Sequence, residues 1–290
     1  MNTYIWLVRR EFWENRAIWT IPAVIGGFLV LVALFGKIEV LGITSQVPGK
    51  AVTQLFLVTV GATFFAVMSI YSTWYLLDCL YADRKDRSVL FWKSLPISDT
   101  ATVLSKLLTA LITIPLVYFA LADLTTLLMA FIISVRASSS IGGALWHADP
   151  WFQSQVLWLY LIVTAAIWYL PVVAYLLVVS SWARRAVMLW SLLPPIALIL
   201  AERWLLGTQV IAAQLWERVV GLAGAFNTDP GEGSWMITTF GNGTLRTPSS
   251  IWSFLNLAGF LSSPETWIGV GVGVALIVCA VQLRTRRTEI

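Results

Sequence analysis

Apolar residues in this chain fall in long blocks, not in the stripes of an amphipathic soluble helix or the alternation of a strand. A helix needs roughly 20 apolar residues to cross a bilayer. Six blocks answer that description: Ala17 to Phe35, Val52 to Leu80, Leu107 to Val135, Val156 to Ser180, Val187 to Ala201 and Trp267 to Leu283. The pattern predicts an all-α integral membrane protein with six transmembrane helices. Pro22, Pro115, Pro171 and the Pro194-Pro195 pair lie inside these blocks, which membrane helices tolerate, and the last pair is expected to bend its helix.

The segments between the blocks differ in kind. Thr3 to Arg16 places Ile5, Trp6, Val8, Phe12 and Trp13 on one broad arc and Arg10, Glu11 and Glu14 on the other. That predicts a short helix lying in the interface ahead of the first span, over residues 1–16. Tyr81 to Lys106 is the most charged stretch and is too polar to span. Its first part is expected to continue the second helix beyond the membrane, with Ser98 or Asp99 capping the third. Segment 202–265 mixes charge with two apolar pieces. Leu205 to Phe226 contains Glu217 and Arg218, and Ile251 to Leu261 is too short to cross. Both read as outside interfacial or re-entrant helices before the last span.

Charge sets the orientation. With both termini inside, the inner segments hold Arg9, Arg10, Arg16, Arg84, Lys85, Arg87, Lys93, Lys106, Arg184, Arg185, Arg284, Arg286 and Arg287. The outer ones hold Lys37, Lys50, Arg136, Arg203, Arg218 and Arg246. The bias is roughly two to one in the direction of the positive-inside rule. Composition agrees: 58% of residues are hydrophobic and 12% charged, and mean hydropathy is +0.80. The net charge of +4 sits in short clusters between apolar blocks, so it does not form the basic stripe of a nucleic-acid binder. The first block follows Arg16 without a small-residue cleavage site and reads as a retained span, not a signal peptide. Cys79 and Cys279 both lie in apolar blocks and read as small buried hydrophobes.

No catalytic constellation emerges. The chain has one histidine, His147, so a multi-histidine metal site cannot be built. There is no G-x-x-x-x-G-K-[ST] run and no G-x-S-x-G elbow. No catalytic or metal-ligating residue and no cofactor in this chain is expected.

Intramembrane charge is costly, and Asp123 in the third block is therefore a candidate functional group. Two readings stand: a substrate or proton-relay carboxyl, or a helix-packing carboxyl bonded by a neighbour. Gly269 and Gly273 form a small-xxx-small pair in the sixth block. They serve either packing within the subunit or contact with a second copy. Between the second and third spans, Ser88 is placed to cap a short helix whose Val89, Leu90, Phe91 and Trp92 make an apolar knob, ended by Pro96. The knob is either a partner site or an interfacial anchor.

The stretch Asp83 to Arg87, Ser88, Val89-Leu90, Leu95-Pro96-Ile97-Ser98 and Ser105-Lys106 resembles the first cytoplasmic loop of ABC-2 type transporter permeases. The six spans, the interfacial elbow helix and the short helices before the last span resemble that family too. The Phe91-Trp92-Lys93 triplet is bulkier than the common family pattern. The resemblance implies the membrane subunit of an ATP-driven exporter in the bacterial cytoplasmic (inner) membrane. It implies a homodimer bound to a separate ATPase that carries the ATP and Mg. Asp86, Arg87, Ser88, Val89, Leu90, Phe91, Trp92, Lys93 and Leu95 would then form the coupling helix that docks on the ATPase, within loop 81–106. This chain would hydrolyse nothing itself. The alternative class is a stand-alone proton-coupled secondary transporter working through Asp123.

Overall fold

A computed structural model describes residues 3–36, 49–85, 98–137, 139–226 and 251–286. The coupling-helix residues Asp86 to Leu95 lie outside the described residues, as do Lys37, Arg246 and Arg287. Among the described residues the chain is helical, with one isolated bridge between Phe226 and Leu255 and no sheet. Six of its helices are long and apolar enough to cross a membrane.

Helix α1 (Thr3–Glu14) precedes the first long helix, α2 (Ala17–Phe35). At 1.5 Å per residue α2 is about 28 Å long, a match to the ~30 Å of a hydrocarbon core. Helix α3 (Gly49–Lys85) has 37 residues, about 55 Å, so its charged end projects well beyond that thickness. This bears out the expectation that the second helix continues through Arg84 and Lys85. Helix α4 (Asp99–Arg136) starts where Ser98 accepts a bond from the Ala101 N–H at 3.1 Å, the cap expected from the sequence. It widens into a π-turn at Thr109–Thr113, just before Pro115. Proline has no N–H to donate, and a widened turn absorbs the lost register.

A short helix α5 (Ser139–Ala144) leads to α6 (Ala148–Trp168) and α7 (Leu170–Trp182). The fourth span is therefore longer than the apolar block and is broken. Tyr169 leaves the helical track at the residue before the Leu170-Pro171 start of α7, where Pro171 supplies a fixed φ for a first turn. A tight link follows, in which Ala186 adopts φ 50°, ψ 53°. Helix α8 (Val187–Leu205) carries Pro194 and Pro195 without interruption.

Beyond α8 the elements are short: α9 (Val210–Val220) with a 3-10 turn at Gly221–Ala225, α10 (Ile251–Phe254) and α11 (Leu257–Ser262). Glu202 on α8 holds the start of α9, accepting from the Val210 and Ile211 N–H groups at 2.6 and 2.8 Å and from the Thr208 hydroxyl at 2.7 Å. A carboxylate suits the unsatisfied donors of a helix start. The last long helix is α12 (Pro264–Arg286).

The core follows helix faces. Phe64, Leu76, Leu80, Ile114, Tyr118 and Leu177 are almost wholly buried where α3, α4 and α7 meet. The outer surface stays apolar, with Phe28, Phe131, Leu198 and Ile268 exposed. Apolar side chains facing outward along whole helices are what a lipid solvent permits and water does not.

Candidate functional site

At one end of the bundle, charged side chains from four helices join in a single network. Lys106 of α4 donates to Glu11 of α1 at 3.0 Å and to Asp83 of α3 at 3.4 Å. Arg284 of α12 donates to Asp83 at 3.2 Å and to Asp99, the first residue of α4, at 3.1 Å. The Tyr75 hydroxyl donates to the other Glu11 oxygen at 2.9 Å, and Arg10 reaches Glu11 at 3.2 Å. Glu11 and Lys106 are only 1% and 2% exposed. Such groups are tolerable in a core only when every charge is answered, and here carboxylates and cations alternate along the chain of contacts.

Beside it, α7 is stitched to α3. The Ser180 hydroxyl accepts from the Leu80 and Tyr81 N–H groups, each at 3.1 Å, and donates to the Leu77 carbonyl at 2.8 Å. Arg84 donates to the Ser180 and Ala183 carbonyls, satisfying the orphan end of α7. The first described helix and the end of the last are thus brought to the same end of the bundle, together with residues 83–85 and 98–106.

Several sequence readings meet this geometry. Helix α1 forms, but Glu11 is not on an open polar face. It is buried with Leu7, while Trp6 and Trp13 are 50% and 64% exposed. The arc drawn from hydrophobicity is rotated because a buried cation, Lys106, outweighs the apolar preference at that position. Sequence alone hid this network, since its members are far apart in the chain. The only local signal was a Lys and an Arg at apolar-block boundaries.

Asp123 accepts a bond from Gln155 of α6 at 2.9 Å and is half-buried. Gln155 was not singled out from the sequence. Arg136 donates to the Ala33 and Gly36 carbonyls, closing the end of α2. His147 contacts the Ala144 carbonyl at 2.9 Å through Nδ1, and Asp149 pairs with Lys50 at 3.4 Å. Among the described residues no group of three His, Cys, Asp or Glu side chains is gathered as a metal site would need.

Gly269 and Gly273 pack inside the subunit. A Cβ at Gly269 would run into the Arg218 guanidinium, and one at Gly273 would stand 2.8 Å from Leu170 Cγ and 3.2 Å from its backbone carbon. The space at Gly269 is what Arg218 uses. It donates to the Glu265 carbonyl at 2.6 Å and stacks on Trp168, 4.3 Å from the ring centre. Trp168 returns a bond to the Arg218 carbonyl at 3.0 Å. Trp168 ends α6 just before the break at Tyr169, and Glu265 and Gly269 lie in the first two turns of α12. Arg218, in the last turn of α9, is therefore held against the break in the fourth span and the start of α12.

Next to the ionic network, a cleft of about 900 Å³ opens between α1, α3 and the start of α8. Tyr71, Trp74 and Asp78 of α3 face it, with Glu14 and Met188 opposite. At the other end, Gly61, Phe65, Trp158, Phe226 and Phe254 enclose an apolar cavity of about 250 Å³.

Comparison with known protein families, with characterised proteins and with solved structures finds no match to this chain.

Proposed function

We propose that this chain is the membrane-spanning permease subunit of an ATP-driven ABC-2 type exporter. The observation that carries the reading is the ionic network. Asp83 lies at the end of the helix entering the 86–97 loop, and Asp99 and Lys106 lie on the helix leaving it. Both are tied to α1 through Glu11 and to α12 through Arg284. A loop whose two stalks are clamped to the rest of the bundle is mechanically fit to pass a displacement to the membrane helices. That is the task of a coupling loop.

The remaining features fit the same reading. The clamped end carries Arg9, Arg10, Arg84, Lys106, Arg184, Arg185 and Arg284, so it is the cytoplasmic end by the positive-inside rule. Termini and coupling loop then share the cytoplasm, and α1 is the elbow helix with Trp6 and Trp13 turned toward the headgroups. Helix α9, held against the start of α12, is an outer interfacial or re-entrant helix. Its Arg218 is answered there by backbone carbonyls and the Trp168 ring. The membrane is the bacterial inner membrane, the partners are an ATPase and a second copy of this chain, and hydrolysis belongs to the ATPase with its ATP and Mg.

The test is co-purification. The wild-type chain should bring down its cognate ATPase, and Phe91→Asp with Trp92→Asp should lose it while still folding. Undiminished binding and ATPase activity in the double variant would remove the docking role. Proton-gradient-dependent transport without any ATPase, abolished in Asp123→Asn, would support the secondary-transporter reading instead.

A further inference from the structure

The cleft beside the ionic network has an imbalance of charge that the network does not use. Four carboxylates line it: Glu11, Glu14, Asp78 and Asp83. Three are answered. Glu11 has Lys106 and Arg10, Glu14 has Arg10 at 3.2 Å, and Asp83 has Lys106 and Arg284. Asp78 is exposed and makes no hydrogen bond or ion pair with any described residue. Arg16, Arg184 and Arg185 adjoin lining residues in the chain but are not among the residues that line the cleft.

The wall around Asp78 is aromatic. Tyr71, Trp74 and Asp78 follow one another at helical spacing along α3, so they share a face. Trp74 is 60% exposed, and Tyr71 is braced from behind by stacking on Tyr118 at 6.2 Å. Across the cleft stand Ala17, Val187 and Met188, apolar side chains of which methionine is the most adaptable in shape. A lone carboxylate next to an open indole face is the pairing that recognises an organic cation: the charge meets the carboxylate, and the ring quadrupole adds to it. A volume of about 900 Å³ falls in the range of ligand sites, roughly 300–1,000 Å³.

We propose that this cleft is a binding site for an amphipathic organic monocation, with Asp78 as counter-ion and Trp74 as the aromatic platform. Phosphate esters and other anions are excluded by the same carboxylates. The site rests on the exporter reading only for the direction in which a bound cation would move. Binding itself needs no ATPase, so its failure and the failure of that reading are separable.

The experiment is equilibrium binding of tetraphenylphosphonium to the purified chain in nanodiscs of zwitterionic lipid, with empty nanodiscs subtracted. The isosteric anion tetraphenylborate is run in parallel. Saturable binding of the cation alone is expected. Asp78→Asn should weaken it by about tenfold or more, Trp74→Ala by a similar factor, and Trp74→Phe by less. Both side chains are exposed, so these variants should elute as the wild type does. Asp149→Asn, at the opposite end of the bundle, should bind as the wild type does. Unchanged affinity in Asp78→Asn, or saturable binding of tetraphenylborate at the same affinity, would overturn the proposal.

Discussion

Lys106 sets its ammonium 3.0 Å from the Glu11 carboxylate, with both side chains almost wholly withdrawn from solvent. The two residues belong to different helices and are nearly a third of the chain apart. The pair is the hinge-pin of the charged end, because Glu11 also accepts from Tyr75 and Lys106 also donates to Asp83.

Removing one partner leaves the other buried and unanswered. Lys106→Met should therefore destabilise the chain by about 3–5 kcal/mol. Replacing both, as Glu11→Leu with Lys106→Met, should recover much of that loss, since an apolar pair of similar volume forfeits no desolvated charge. Thermal unfolding in detergent across the double-mutant cycle measures the coupling. A double variant as unstable as the sum of the singles would show that the two charges act independently.

The Ser180 hydroxyl alone makes three of the bonds between α3 and α7. Ser180→Ala removes two accepted bonds and one donated bond without changing packing volume. A cost of about 0.5–1.5 kcal/mol follows from losing these bonds, since the backbone groups lie inside the continuous helix α3. Amide exchange at Leu80 and Tyr81 should quicken in the variant, and exchange near Gly61 should not.

Gly269 and Gly271 make a matched pair for testing the last helix. A side chain at Gly269 meets Arg218, whereas one at Gly271 meets nothing within 4 Å. Gly269→Ala should displace the guanidinium from Trp168 and lower stability by about 1–2 kcal/mol, in the range of overpacking. Gly271→Ala should be neutral or stabilising by up to about 1 kcal/mol, the helix-propensity gain. Thermal unfolding of the two variants in detergent measures the difference.

Ala186 holds φ 50°, a conformation that a Cβ disfavours by roughly 1–2 kcal/mol. Ala186→Gly should relieve this, offset by the greater freedom of glycine in the unfolded chain. The predicted outcome is a melting temperature equal to or above the wild type's. Ala186→Val should lower it, since β-branching aggravates the clash.

How far the sequence foretells this molecule varies with the range of the interaction. The six apolar helices, the extension of α3 through Lys85 and the Ser98 cap are all local, set by runs of neighbouring residues. The break at Tyr169 was legible only as Pro171, because proline marks a weak point without saying whether a helix bends or stops. The face of α1 was misjudged because burying Glu11 depends on Lys106, which lies far along the chain. For Gly269 the small-residue motif left packing within the subunit and pairing between subunits equally open. Arg218 and Leu170 occupy the space at both glycines, and neither could be paired with them by spacing. In the sequence Asp78 is simply a carboxylate near the end of the second apolar block. That it has no partner among the described residues becomes visible only beside the answered carboxylates around it.

The central claim is that the loop between α3 and α4 meets an ATPase, and photo-crosslinking from that loop tests it most directly. Trp92→p-benzoylphenylalanine should, on illumination in membranes containing the cognate ATPase, give an adduct of the two chains. The same substitution at Trp146, which bonds to Ser134 at the other end of the bundle, should give none. Adducts from position 92 with lipid alone would contradict the account and place the aromatic knob in the interfacial belt instead.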